Sequence, residues 1–491
     1  MPTPTDTRPT PDLRGALAAL IVGGIAAILD STMVALAIHT LSLELGATSA
    51  DIQWVSTSYL LAIAVAIPVT GWVESRWGGK RAWAAALLVF VTGSVLCAIA
   101  WSVPSLIAFR AVQGLGGGLI MPLMQTLAVR AAGGRVTSRM MATVALPMAL
   151  GPILGPVIGG VILSWLSWRW LFLVNVPLVA VGLWMAWRYL PDDRRAGAAR
   201  PGRLDVAGLV LLAAGLAASL LGLTRLAADG GIGHVDVLVP AAAGIVLLGV
   251  FVARALRPGA TEPVVDIRLL RVRSLGSASL VLFGTGAVMY AAMFLLPLFY
   301  QQLHGQSVLH AGLLMIPQGV GALAARFAVG RLVDRFGARA VTVASFVLTA
   351  VATVPFALAG PGTSLWWLGA VLLVRGIGIG AVLIPAMSVA YQDVPHDDVP
   401  HATANTRIAQ QVGGAFGTAI VAVALQSLLD QGATAAFHGA FWWAIGLACL
   451  AVLPALALPG GSARREDERP DPPAETVPGA VARTGSGSAR A

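Results

Sequence analysis

The sequence predicts an all-α integral membrane protein with 14 transmembrane helices arranged 6+2+6. Three observations carry this prediction. The 491-residue chain is 57% hydrophobic and only 11% charged, with a mean hydropathy of +0.81, whereas an ordinary soluble domain carries about a quarter charged residues. Apolar blocks of about 18 residues or more, long enough to cross a bilayer, recur along almost the whole chain. Finally, GWVESRWGGKR at 71–81 is echoed by GRLVDRFGAR at 330–339, and RAVQGLGGG at 110–118 by RGIGIG at 375–380, at offsets of 259 and 265. Two echoes at nearly equal offset imply duplicated halves related by an axis along the membrane normal.

In order, the blocks fall at 15–39, 52–73, 82–100, 104–128, 140–163, 170–190, 204–226, 236–255, 274–300, 308–330, 340–360, 364–391, 402–428 and 436–458. The first is too long for a signal-peptide core and is read as a retained span. Six blocks lie before residue 191 and six after 273, so the pair between them is an insertion. The expected organisation is a cytoplasmic tail at 1–14, a six-helix bundle at 15–190, an inserted pair with basic flanks at 191–272, a second bundle at 273–458 and a disordered tail at 459–491. That tail is Pro/Gly/Ser-rich and charged.

The net charge of +9 orients the chain and does not point to nucleic acid. With the N-terminus inside and the sides alternating, 27 of the 32 Lys and Arg residues fall on the inner side. This is the positive-inside pattern, and it places both termini in the cytoplasm. In that tally Arg407 counts with the inner loops, and Arg326 lies at the inner end of the tenth block, where snorkelling accounts for it. Cys97 and Cys449 both fall inside blocks, so no disulfide frame or zinc spacing arises. There is no Ser/His/Asp arrangement, no metal cluster and no enzyme constellation. The glycines at 114–118 lack the Lys-Ser/Thr of a phosphate loop.

The ordered motifs resemble those of a known family. ILDSTMVALAI in the first block, QWVSTSYLLA at 53–62, GWVESRWGGKR, LIAFRAVQGLGGG at 106–118, GPILGPVIGG at 151–160 and WRWLFLVNVP at 168–177 resemble, in this order, the 14-helix drug:proton antiporters of the major facilitator superfamily. The resemblance covers nearly the full chain except both tails. It implies the major facilitator fold and conformational roles for Gly71, Glu74, Arg76, Gly78, Gly114, Gly151, Gly155, Pro156 and Gly159. In the second half it implies the same for Gly330, Asp334, Arg335 and Gly337. The family's loop pattern has Asp where this chain has Ser75. Glu74 is turned by about 100° from that position, so the latch at the helix ends is implied for Asp334 and left open for Glu74.

Of the 23 acids, 22 lie in loops, tails or block ends, and Asp30 alone is deep. An ionisable residue within a membrane is a functional hypothesis by default. Asp30 lies roughly 13 Å from the outer end of its span and Arg110 roughly 9 Å from the outer end of the fourth, at 1.5 Å per residue. The resemblance makes those two spans neighbours, so the two side chains can pair. Burial favours a protonated carboxylate and a nearby guanidinium an ionised one, so such a pair can load and release a proton as its hydration changes. The alternatives are a static structural pair, or a cap to Ser31 or Thr32. Gly151, Gly155 and Gly159 at four-residue spacing bare one helix face, for close packing or for a gate-like bend.

Phe283, Tyr290 and Phe294 share a face of the ninth span near Met289 and Met293. They suit an apolar pocket, although a packing or lipid-facing stripe is the more common reason for such a pattern. Trp54 and Tyr59 are pocket walls or interface anchors. Gln113, Gln125, Asn175, Gln318, Asn405 and Gln410, polar groups within spans, either line a cavity or bond between helices, and Arg375 meets an anionic group or backbone carbonyls. The expected function is a monomeric bacterial plasma-membrane exporter of hydrophobic, often cationic, drugs or antibiotics, working by alternating access. The proton gradient would drive it with no cofactor. The other readings are an exporter of one host-made metabolite, lipid or anion, and a membrane receptor that transports nothing.

Overall fold

In the computed structural model, residues 13–131, 138–190, 204–228, 234–257, 265–395 and 398–459 are described, and every regular element among them is helical. The tails expected at 1–14 and 459–491 lie almost wholly outside these residues. Twelve helical stretches are long and apolar enough to cross a membrane. One of them, Val308–Leu358, is two spans broken at Gly337, whose φ of 82° and ψ of 154° are not helical. The helix Ser138–Trp165 fills the fifth place, so the described residues contain fourteen spans.

The first six are α1 (Leu13–Leu36), α2 (Asp51–Trp77), α3 (Gly79–Ala98), α4 (Val103–Ala131), α5 (Ser138–Trp165) and α6 (Trp170–Tyr189). The inserted pair is α7 (Val206–Arg225) and α8 (Val235–Leu256). The last six are α9 (Arg273–Leu303), α10 (308–336), α11 (338–358), α12 (Leu365–Ala390), α13 (His401–Ser427) and α14 (Ala433–Leu456).

Local chemistry sets the boundaries. A reciprocal capping box starts α2, with Thr48 Oγ1 accepting from Asp51 N–H and Asp51 accepting from Thr48 N–H, which satisfies two otherwise orphaned donors. Gly78, with φ 80° and ψ 157°, divides α2 from α3. Gly337 divides α10 from α11 with nearly the same angles, so the sequence repeat is also a backbone repeat. Both glycines sit where a Cβ is disfavoured.

The halves touch along α2–α13, α5–α10 and α1–α9, and α7 packs on α8 and against α2 and α13. Bare valines and isoleucines line the outer face of α8, with Ile245 at 72% exposure. In a bilayer that face meets lipid. Exposed tryptophans ring the bundle at both levels, Trp101, Trp165 and Trp366 at one end and Trp77 and Trp187 at the other, as an aromatic belt requires.

One end of the bundle is closed. There Phe299 stacks edge-on with Phe356, Phe437 and Phe441. Gln301 Nε2 donates to Leu36 O at 3.2 Å, and Gln302 bonds His39 at 3.1 Å, which ties the two halves together. The opposite end, carrying the 78 and 337 breaks, is open.

Candidate functional site

Asp30 is completely buried at the centre of the first half, and both of its oxygens are engaged. Oδ2 accepts from Arg110 Nη1, closing a buried ion pair. Oδ1 accepts from Gln113 Nε2 at 2.8 Å and from Asn175 Nδ2 at 2.9 Å. The same two amides donate to Ser94 Oγ, at 2.7 and 3.1 Å. Arg110 also donates through Nε to Val55 O at 3.2 Å and through Nη1 to Gln113 Oε1. Its guanidinium lies 4.0 Å from the centre of the Tyr59 ring, a cation–π contact that is strongest away from water. Five helices therefore supply one polar cluster. A buried pair of charges persists only with such additional bonds.

The glycines of α4 make this convergence possible. Gly114 and Gly118 lie against the backbone of α2 at Tyr59 and Ile63, and Gly116 lies against Phe90 of α3. From the other side, Gly93 of α3 sits on the backbone of Gln113. With no side chains between them, α2, α3 and α4 approach closely enough for Arg110 and Gln113 to reach Asp30.

A cavity of about 680 Å³ opens between the halves toward the end that carries the Gly78 and Gly337 breaks. Ser31, Tyr59, Met289, Tyr290 and Met293 line its deep part, and Glu74, Arg130, His401 and Arg407 its mouth and flank. A second cavity of about 160 Å³ shares Thr32, Met289, Met293 and Gln410 with it and reaches Gln318 and Arg326. Asp30 lines neither. Tyr59 and Arg110 stand between it and the open space, with Arg110 reaching only a 20 Å³ pocket beside Ser31 and Tyr59.

Among the substrate candidates, Tyr59, Tyr290 and Gln318 line these cavities, and Phe294 only the 20 Å³ pocket. The others are placed elsewhere. Trp54 is partly buried against the apolar cluster that joins the first half to α7 and α13. Phe283 meets Phe416 at 6.3 Å, because that turn of α9 faces α13. Asn405 donates to Asp266 O at 2.9 Å and anchors a loop. Gln113 belongs to the Asp30 cluster. Arg375, 2% exposed, donates to Gln318 Oε1 at 3.0 Å, Thr353 Oγ1 at 3.1 Å and Val288 O at 3.3 Å.

Three placements differ from the expectations. Arg407 is not a loop cation: it lies well inside α13, on the face that lines the cavity. Arg326 is half-buried against the smaller cavity and does not snorkel away from it. The latch is also reversed. Glu74 pairs with Arg130 at 2.9 Å and approaches Thr126 Oγ1 at 3.5 Å, while Asp334 is exposed and makes no ion pair among the described residues. The one-residue shift moves Glu74 onto the cavity flank, where α4 ends. Arg76 and Arg335 instead stack near Trp72 and Phe336, and Gly71 and Gly330 have open space beside them.

The glycine face of α5 does touch α1. Gly151, Gly155 and Gly159 oppose Ile28, Thr32 and Met33, on either side of Asp30. The adjacent face of α5, about 100° round the helix, reaches α10, with Gly160 against Leu309 and Pro156 O against Gly312. Ser94 is the member of the Asp30 cluster that sequence reading missed, since a serine among apolar residues carries no signal of its own. Asn175 was legible only as one of several polar groups within spans.

The Major Facilitator Superfamily model matches residues 20–418. The chain is 35% identical over 407 residues to the multidrug resistance protein B homolog of Mycobacterium tuberculosis (strain ATCC 25618 / H37Rv), covering 82% of this chain and 75% of that one. It is 30% identical over 439 residues to the putative multidrug resistance protein MdtD of Serratia proteamaculans (strain 568), covering 87% and 89%. Among solved structures, an auto-inhibited POT family peptide transporter superposes with a TM-score of 0.65 at 17% identity, covering 93% of this chain and 99% of that one. The nucleoside transporter NupG gives 0.61 at 14%, covering 90% and 99%.

Proposed function

The chain belongs to the Major Facilitator Superfamily, and from that premise we propose that it is a proton-coupled exporter of hydrophobic drugs or antibiotics, with Asp30 as its proton site. The observation that carries this reading is the position of Asp30. It is sealed in a cluster of donors, one residue from Ser31 on the cavity wall and one side-chain layer behind Tyr59. The names of the multidrug relatives support the substrate class.

In this reading both termini are cytoplasmic in a bacterial plasma membrane, and the cavity faces inward. Two six-helix bundles, at 15–190 and 273–458, rock about it as a monomer, with the inserted pair at the periphery. The proton gradient supplies the energy, and no cofactor takes part. When the outer side opens, a proton moves onto Asp30 Oδ2. Arg110 then loses its ion pair, keeping Val55 O, Gln113 Oε1 and the Tyr59 ring. Neutralising the carboxyl changes what α1 holds against α4 and α6. The glycine face of α5 rests on α1 at that level, and its neighbouring face rests on α10, so the change is passed to the second half. In the inward state the proton leaves and substrate binds for export.

Everted vesicles carrying Asp30→Asn test this with a panel of fluorescent drugs. Uphill export and substrate-induced proton release are both expected to vanish. Survival of both would overturn the assignment of Asp30.

A further inference from the structure

The charges around the cavity are distributed unevenly. On the first half, Asp30 offsets Arg110 and Glu74 offsets Arg130. On the second half, Arg407 lines the large cavity and Arg326 the small one, and neither has an ion-pair or hydrogen-bond partner among the described residues. Arg375 lies behind them with neutral acceptors only. Helices α9–α14 contain a single acid, Asp334, which is exposed at the inner end of α10. The wall therefore offers a cation nothing to pair with, and it offers an anion two guanidinium groups. Removing a guanidinium from water without a counter-charge is costly, and a bound carboxylate or phosphate relieves that cost through charge-assisted bonds.

We propose that the cavity takes an amphiphile with an apolar body and one anionic group, a carboxylate or a phosphate monoanion, held by Arg407 at the wall of the second half. Arg326 provides a second contact through the shared lining at Gln410. Gln410 and Gln411, beside Arg407 on α13, leave polar groups for the remaining oxygens, and the Tyr290 hydroxyl already donates to Gln411 Oε1 at 3.4 Å. Met289, Met293, Tyr59 and Tyr290 cover the apolar body, as polarizable side chains do in adaptable pockets. The proton site and the anion site thus belong to different halves. The proposal rests on reading this cavity as the substrate site of an exporter.

The test measures binding, apart from transport. The full chain in nanodiscs is titrated with dansyl-labelled undecanoic acid, its methyl ester and the corresponding trimethylammonium compound. The acid is expected to bind about tenfold or more tightly than the ester, the scale of one charged hydrogen bond, and the cation more weakly still. Arg407→Gln should lose that preference, measured on protein whose gel-filtration profile matches the parent. Arg326→Gln should reduce the preference by less. Equal binding of acid and ester by the parent, tighter binding of the cation, or a preference that survives in Arg407→Gln would each overturn the proposal. The two readings fail separately. Preference for the acid without uphill export would sink the exporter reading and leave the anion site standing. Uphill export of the cation without any preference for the acid would do the reverse.

Discussion

Arg110 and Arg375 stand at matching points of the two sequence echoes, and both are buried, at 1% and 2% exposure. Arg110 faces a carboxylate, and Arg375 faces only an amide, a hydroxyl and a carbonyl. Meanwhile Gly78 and Gly337 keep almost identical angles. Duplication has preserved the backbone devices and let the buried chemistry diverge. Arg375 also teaches that this scaffold tolerates a guanidinium without a counter-ion, provided its N–H groups are bonded. An acid beside Arg110 is therefore not required for folding, which favours a working role for Asp30.

The largest expected effect makes the first half resemble the second. Asp30→Asn leaves Arg110 with neutral acceptors, as Arg375 has. The variant should elute as folded protein on gel filtration, while drug accumulation becomes insensitive to an imposed pH gradient. Aggregation of this variant would show that the ion pair is structural.

Next in size is one substitution made in both halves, with opposite results. Gln113→Glu places a second carboxylate beside Asp30 and removes a donor from it, at a cost of roughly 2 kcal/mol or more. Gln318→Glu places a carboxylate against Arg375 and should stabilise by about 1 kcal/mol, since a charge-assisted bond exceeds a neutral one. Thermal melting in detergent should move down for the first and up for the second. Shifts of the same sign would mean that the halves do not differ in charge balance.

Gly78→Ala and Gly337→Ala should each cost about 1–2 kcal/mol, because both residues hold a backbone that a Cβ disfavours. Equal drops in melting temperature are expected. A large inequality would separate the two breaks despite their matching angles. The smallest effect belongs to Glu74→Gln. Its partner Arg130 is half exposed, and such pairs contribute about 1 kcal/mol or less. Melting should barely change, and any loss of export would assign Glu74 to the motion and not to stability.

Much of this was legible in the chain. The span count, the repeat and the insertion follow from hydropathy and from motifs, since a lipid solvent forces backbone groups into helices of fixed minimum length. The lone deep acid was legible for the same reason. The surroundings of Asp30 were less so. Gln113 and Asn175 are 62 residues apart, and nothing in their local sequence says that both donate to one oxygen. Arg407 was misplaced because a tally of charges by side does not say which face of a helix a residue near its end occupies, and here that face lines the cavity. Glu74 was left open because a step of about 100° on a helix changes its partner, and only packing decides which partner stands there.

By itself, then, the sequence determined how many times the chain crosses the membrane, that it does so in two related halves, and that one carboxylate lies deep. Those are matters of solvent and period, written into every stretch of about 20 residues. The tertiary structure decided that Asp30 is sealed from the cavity and not exposed to its contents. It also decided that Glu74 and not Asp334 is paired, and that uncompensated arginines gather on one wall. Each of these depends on which helix faces are neighbours across gaps of 50 to 150 residues. Glycine-lined contacts fix those faces through close packing, and no local pattern encodes them.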